Sequence, residues 1–343
     1  MTPRVLAAVA ALATLLGNSP GELRASVHAT AAAYLKNIAA IAPIAGRDTT
    51  FDYYERLNDD VAMLDDQTLP SGYTTAQWAQ MVRNIATLDV SLATQLLSRK
   101  FTPMASIRGL GETLVRSSKD GTMQPVAVYV PDGYEAGRPA PLVVFLHGRG
   151  QSETQLLSPP YVAELADSIG AIVVAPWGRG YFDFRPSGDD VYDALDAARS
   201  AFTIDKHQQF LAGYSMGGFA AFGVALTNPG EWTAVMSIAG ALLNTDSSRV
   251  VAKLSRTPFY VLTGSADDTV PTQFPAATAA FLQSAGMRVS FYSQAGGTHR
   301  LITLLPILRQ SWSDMLRGVT RAPPPGIGNV TLPSMIDMPN YRP

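Results

Sequence analysis

Apolar residues recur at three- and four-residue intervals through residues 22–46 and 75–100, with Trp78, Met81, Ile85 and Leu88 forming one such stripe. That spacing collects them on one face of a helix, so both segments are predicted as packed helices. Between them, residues 51–73 carry Asp59-Asp60, Asp65-Asp66 and the breaker Pro70-Ser71-Gly72, and read as irregular or short-helical. The paired Asp lack the other ligands and the glycine of a calcium loop, which makes a solvated acidic edge the expectation. From about Gly111 the period changes. Short apolar runs at 126–130, 142–146, 171–175, 209–212, 234–238, 259–262 and 289–292 alternate with helical stretches at 191–202, 217–226, 275–285 and 302–316. Strand and helix in alternation predict a mostly parallel, doubly wound sheet with crossover helices. The unbroken run Pro141-Leu142-Val143-Val144-Phe145-Leu146 suits a strand buried on both faces. The expected class is α/β with an N-terminal helical extension over 21–110, an α/β unit over 111–320, and a Pro-rich tail over 321–343 that runs over the surface or is disordered.

Composition removes several classes of function. A chain of 343 residues, 47% hydrophobic and 16% charged, has ample material for a core. Lys and Arg number 26 against 28 Asp and Glu, so no basic excess exists to neutralise a phosphate backbone, and nucleic acid is not an expected partner. Cysteine is absent, which excludes disulfide frameworks, thiolate zinc sites and Cys nucleophiles. Four His without an H-E-x-x-H spacing leave little for a metal, and no complete dinucleotide or P-loop fingerprint occurs, so no cofactor is implied. No stretch reaches the roughly 18 apolar residues of a membrane span, so stable membrane insertion is not expected. After Arg4 an apolar run over 5–16 meets Gly17-Asn18-Ser19-Pro20, the order of a secretory signal within residues 1–20. No clean cleavage triplet follows, so an Ala-rich first helix is the other reading, and a secreted or periplasmic location stands beside a cytoplasmic one.

The most informative residues are Gly213-Tyr214-Ser215-Met216-Gly217-Gly218. They fit the G-x-S-x-G nucleophile elbow, in which Ser sits on a strained strand-to-helix turn and the flanking glycines keep a Cβ away from neighbouring backbone. The motif follows an apolar run and opens a helical stretch, the context it requires. A Ser hydroxyl needs a base, and the base an orienting carboxylate. His28 lies in the N-terminal helices, His147 ends a strand ahead of the elbow, and His207 sits in a polar turn, which leaves His299 after Ala295-Gly296-Gly297-Thr298. The carboxylate is expected in Gly264-Ser265-Ala266-Asp267-Asp268, where either Asp falls at a strand's C-terminal end; Asp246 is a weaker candidate. An oxyanion intermediate also needs N–H donors. Met216, after the nucleophile, supplies one, and Arg149 in His147-Gly148-Arg149-Gly150 the other, with His147 organising that loop. Trp177 and Tyr181, in the aromatic segment after 171–175, either reach the mouth of the site as substrate contacts or anchor a surface loop. Leu242-Leu243 is either acyl pocket or core.

Residues 111–320 resemble the α/β-hydrolase superfamily, and within it the lidless carboxylesterases grouped with feruloyl and acetylxylan esterases and polyhydroxybutyrate depolymerases. Leu146-His147-Gly148, the elbow, Gly264-Ser265-Ala266-Asp267 with Val270-Pro271, Gly297-Thr298-His299 and Phe202-Thr203-Ile204-Asp205 carry the resemblance. It implies Asp267 as the acid and a serine esterase that cleaves small-molecule or polysaccharide-linked carboxylic esters through an acyl-enzyme. A serine peptidase or amidase with a prolyl-oligopeptidase-like catalytic unit is the alternative, although about 110 N-terminal residues cannot form a propeller. The N-terminal region of about 90 residues lies outside this resemblance and is expected to act as an accessory or cap domain.

Overall fold

The computed structural model describes residues 19–66, 68–180, 184, 188–321 and 331–334. The described residues open with four helices: α1 (Pro20–Lys36), α2 (Ile38–Ala45), α3 (Arg47–Asp65) and α4 (Thr75–Ser98). Ser19 and Thr74 close capping boxes on Glu22 and Gln77 and so start α1 and α4. Of the segment 51–73, expected as irregular or short-helical, residues 51–65 instead belong to the 19-residue helix α3, while the described residues from 66 to 73, with the Pro70-Ser71-Gly72 turn, are non-helical. The stripe of α3 was hard to read because two of its inward positions, Arg56 and Asp60, are charged; both are buried, so Asp60 is not part of a solvated edge.

An eight-stranded sheet follows, β1 (Gly109–Arg116), β2 (Met123–Val130), β3 (Ala140–Leu146), β4 (Ile172–Pro176), β5 (Ile204–Tyr214), β6 (Ala234–Ile238), β7 (Phe259–Gly264) and β8 (Val289–Gln294). Its order is β1-β2-β4-β3-β5-β6-β7-β8. The pairs β1–β2 and β2–β4 are antiparallel and the rest parallel. Intervening helices are α5 (Glu153–Leu157), α6 (Pro160–Ile169), α7 (Gly188–Ala201), α8 (Met216–Thr227), α9 (Asn244–Lys253), α10 (Gln273–Ser284) and α11 (Leu305–Leu316). Alternate strand residues feed two cores. Val144, Leu211, Val235 and Val261 pack against α7, α8 and α10 on one face, while Val143, Phe145, Phe210 and Met236 pack against α6 and α11 on the other. After β4 the connections move to the other side of β3, so the C-terminal ends of β3 and β5 border the switch point where open α/β sheets place their ligands. No helix among the described residues is long and apolar enough to cross a membrane.

The N-terminal helices share a core with β1 and β2 through Leu114 and Met123. A buried polar cluster joins them more firmly. The Arg56 guanidinium lies 2.7 Å from Asp89 Oδ1, 2.8 Å from Glu153 Oε1 and 3.8 Å from Glu112, and it donates to Thr154 Oγ1 at 3.0 Å. Asp60 hydrogen-bonds Asp89, and Glu112 hydrogen-bonds Glu153. Four buried carboxyls thus share one cation. Burial, reinforced by Asp89 and Glu153 respectively, pushes Asp60 and Glu112 well above the usual carboxylate range. These two keep their protons and act as donors.

The folded chain therefore holds protons that the unfolded chain releases above about pH 4, so this contribution to stability is complete below that range and declines as pH rises toward the folded-state values. The urea midpoint is expected to fall on going from mildly acidic to neutral pH, and Glu112→Gln, which keeps a donor for Glu153 without titrating, to flatten that slope. Arg56→Met leaves the remaining carboxylates unpaired and should cost about 3–5 kcal/mol in the same measurement.

Candidate active site

Strand β5 ends at Tyr214 and α8 begins at Met216, with Ser215 between them at φ 52°, ψ −115°. A non-glycine residue there costs about 1–3 kcal/mol and persists only when its surroundings hold it. Ser215 N–H donates to Ile238 O at 2.8 Å, Phe219 N–H to Ser215 O at 3.0 Å, and Gly217 N–H to His147 O at 3.1 Å. Side chains at the flanking glycines would collide with backbone: a Cβ on Gly213 would lie 2.1 Å from Gly217 O, and one on Gly217 2.4 Å from Leu146 O.

Ser215 Oγ stands 2.8 Å from His299 Nε2, and His299 Nδ1 lies 2.9 and 3.1 Å from the two oxygens of Asp267. Asp267 Oδ1 also accepts the N–H groups of Thr269 at 3.0 Å and Val270 at 2.8 Å. The carboxylate is fully enclosed, whereas the His299 side chain keeps 18% of its surface in solvent. The loops carrying the two residues are joined by Ala266 N–H to Gly297 O at 2.8 Å, and a Cβ on Gly264 would lie 2.2 Å from that oxygen. Asp268 is exposed, and Asp246 pairs with Arg249 in the first turn of α9. Neither reaches His299. Tyr214, singled out by no sequence argument beyond its place in the elbow, donates its hydroxyl to His299 O at 2.6 Å and so braces the loop behind the imidazole.

Met216 N–H occupies the first position of α8, where helix geometry provides no internal acceptor. The loop after β3 packs directly on the elbow, since a Cβ on Gly148 would stand 3.4 Å from Ser215 Cβ and 2.9 Å from the Tyr214 ring. Arg149 follows in that loop and is half-buried. His147 is fully buried, its ring nitrogens 2.9 Å from Gly148 O and 3.0 Å from Trp177 O, and burial lowers its pKa. A neutral ring has a single N–H, so it donates to one of these two carbonyls and packs against the other. Trp177 corrects an expectation: it is completely buried, stacked on His147 at 5.6 Å with the Arg56 guanidinium 5.1 Å above its ring, and does not reach the mouth of the site. Tyr181 lies outside the described residues. Leu242 belongs to the core.

A phospholipase/carboxylesterase family model matches residues 189–304, a span that contains Ser215, Asp267 and His299. The chain is 29% identical over 167 residues to feruloyl esterase C of Emericella nidulans, covering 45% of this chain and 62% of that one. It thus spans less than two thirds of that curated relative. Among solved structures, a ferulic acid esterase superposes with a TM-score of 0.53 at 16% identity, over 61% of this chain and 98% of that chain. The chain has the α/β-hydrolase fold. An S-formylglutathione hydrolase from Staphylococcus aureus shares the fold with this α/β-hydrolase at a TM-score of 0.51 and 15% identity, over 61% and 98% of the two chains.

The elbow of this α/β-hydrolase depends on backbone contacts that no side-chain rotation can relieve. Gly217→Ala is therefore expected to lower stability by at least about 1–3 kcal/mol, the usual cost of forced overpacking, read as a fall in the thermal midpoint. Gly150→Ala meets no atom within 4 Å and changes only a backbone at φ +68°. It should be the milder variant.

Proposed function

We propose that this α/β-hydrolase is a carboxylesterase that forms an acyl-enzyme on Ser215. The observation that carries the reading is the chain of contacts from Ser215 Oγ to His299 Nε2 and from His299 Nδ1 to the enclosed Asp267. Ser215 Oγ attacks the ester carbonyl carbon while its proton passes to His299 Nε2. Asp267 accepts a hydrogen bond from Nδ1–H, without taking the proton, and stabilises the imidazolium. Negative charge on the former carbonyl oxygen is met by the N–H groups of Met216 and Arg149. Collapse of the intermediate breaks the C–O bond to the alcohol, which takes the proton from Nε2. Water then repeats the sequence at the acyl carbon, releasing the acid and restoring Ser215.

The substrate class is a carboxylic ester, of a small molecule or carried on a polysaccharide; likeness to feruloyl esterase C supports it. Ser215→Ala and His299→Ala should each lower kcat on 4-nitrophenyl acetate by about 10⁴–10⁶-fold, and Asp267→Asn by about 10⁴-fold. A fluorophosphonate probe should label the wild-type chain at Ser215. Full activity of Ser215→Ala on that ester would sink the assignment.

A further inference from the structure

Beside the triad lies a cavity of about 270 Å³ whose walls come from both parts of the chain. Tyr73, Trp78 and Met81, from the α3–α4 connection and α4, face Tyr161, Tyr214 and Arg300 across it. Two of these stand one residue from the reacting pair: Tyr214 precedes Ser215, and Arg300 follows His299. The wall is fixed in place. Arg300 donates to Ser71 Oγ, and Gly72, at φ +94°, sits so close to Ile302 that a Cβ there would lie 3.0 Å from its side chain. The rings of Tyr73 and Trp78 stand 5.8 Å apart, and those of Tyr73 and Tyr161 6.5 Å.

The chemistry of the wall is one-sided. None of the residues lining the cavity is Asp or Glu. Arg300 brings a permanent charge with a planar fork of donors, only one N–H of which goes to Ser71. Burial raises the pKa of both Tyr73 and Tyr161, so their phenols stay protonated. Aromatic faces, a guanidinium and no competing carboxylate select a flat ring that bears an anionic group, and the volume suits a single ring. The side of the ester follows from position. Arg300, Leu301 and Ile302 continue directly from His299, and in the proposed reaction it is His299 that gives its proton to the departing alcohol oxygen.

We propose that this cleft is the leaving-group subsite of the enzyme, and that it receives an aromatic alcohol carrying a carboxylate, with Arg300 binding the carboxylate and Trp78 and Tyr73 the ring. The assignment rests on the ester-hydrolase reading above. It makes the N-terminal helices part of substrate recognition.

The test compares 4-carboxyphenyl acetate with phenyl acetate, which share acyl group and ring. Wild type should show a lower KM for the carboxylate ester by about tenfold or more, and 4-hydroxybenzoate should compete far better than phenol. Arg300→Gln should raise KM for 4-carboxyphenyl acetate by about 10- to 100-fold, the range for a lost charged hydrogen bond, with a much smaller change for phenyl acetate. Trp78→Ala should raise KM for both aryl esters relative to ethyl acetate. Equal KM values for the two esters in wild type would overturn the proposal. So would an Arg300→Gln enzyme whose kcat falls equally on both while the KM ratio is kept, since Arg300 would then only brace the His299 loop. A preference for methyl hydrogen terephthalate over methyl benzoate, with none between the two acetates, would place the cleft on the acyl side and overturn the leaving-group assignment. Activity surviving in Ser215→Ala would defeat the esterase reading itself, a separate outcome.

Discussion

The guanidinium of Arg56 is the point through which the two parts of the chain hold one another. It leaves α3 and reaches Asp89 on α4, Glu112 on β1 and Glu153 at the start of α5, and its flat face lies over Trp177 after β4. A charge taken so far from water carries a desolvation cost of several kcal/mol, and only close, well-placed acceptors offset it. Ionising all four surrounding acids would overshoot in the other direction. The cluster resolves this by keeping Asp60 and Glu112 protonated, so that two acids donate hydrogen bonds to Asp89 and Glu153 and add no charge. Apolar contact alone would allow α3 and α4 to slide on the sheet. Directional bonds to α4 and α5, with the ion contact to Glu112 on β1, do not, and they fix the register of the helices on the sheet.

What that register secures is the geometry beside Ser215. Glu153 opens α5 only three residues after Gly150, and Trp177, beneath the same guanidinium, stacks on His147. His147 in turn lies between the carbonyls of Gly148 and Trp177, one of which accepts its single N–H. Packing therefore runs without a gap from the buried cation to the loop that touches the elbow. The elbow needs such support, because Ser215 occupies a backbone region that an L residue enters at a cost. Four backbone strands of contact, from Leu146, His147, Ile238 and Gly217, close around it. Strain in the turn and rigidity in its surroundings are two sides of one arrangement: the hydroxyl stays 2.8 Å from His299 because nothing adjacent can relax.

Legibility in the sequence followed the strength of local rules. Strands β3 to β8 were readable because parallel strands buried on both faces leave continuous apolar runs. Ser215, His299 and the Gly264–Asp267 segment were readable because glycines mark turns whose backbone approaches too closely for any side chain. Helix α3 was not, since its inward face includes Arg56 and Asp60, and periodicity counts charged positions as outward. Asp59-Asp60 looked like a solvated pair, yet only a partner 29 residues away, Asp89, explains why one of them is buried. Strand β1 and the short α5 and α6 fell between patterns, and Trp177 read as a rim residue because nothing local announces that Arg56 and His147 enclose it. Tyr214 and Arg300 were invisible for a related reason: each is a neighbour of a residue with chemistry, and only three-dimensional contact distinguishes it from other loop or elbow positions.

The stripe Trp78, Met81, Ile85 and Leu88 shows the same limit from another angle. Its period predicts core, and Met81 and Ile85 are indeed buried. Toward the start of α4, however, the same stripe runs out past the edge of the packed interior, and Trp78, Met81 and Ile85 border about 270 Å³ of unfilled space. Core and pocket ask for the same side chains, since both present apolar surface away from bulk water. They differ in whether something opposite completes the packing. Here the side opposite ends in Tyr161, Tyr214 and Arg300, polar-tipped groups held at fixed separations by the Ser71 and Ile302 contacts. A helix pinned by Arg56 at its middle can leave its first turns unpacked against the sheet without losing position. The buried cation and the open cleft are therefore linked: rigidity at Arg56 is what allows a gap to persist next to Ser215 and His299.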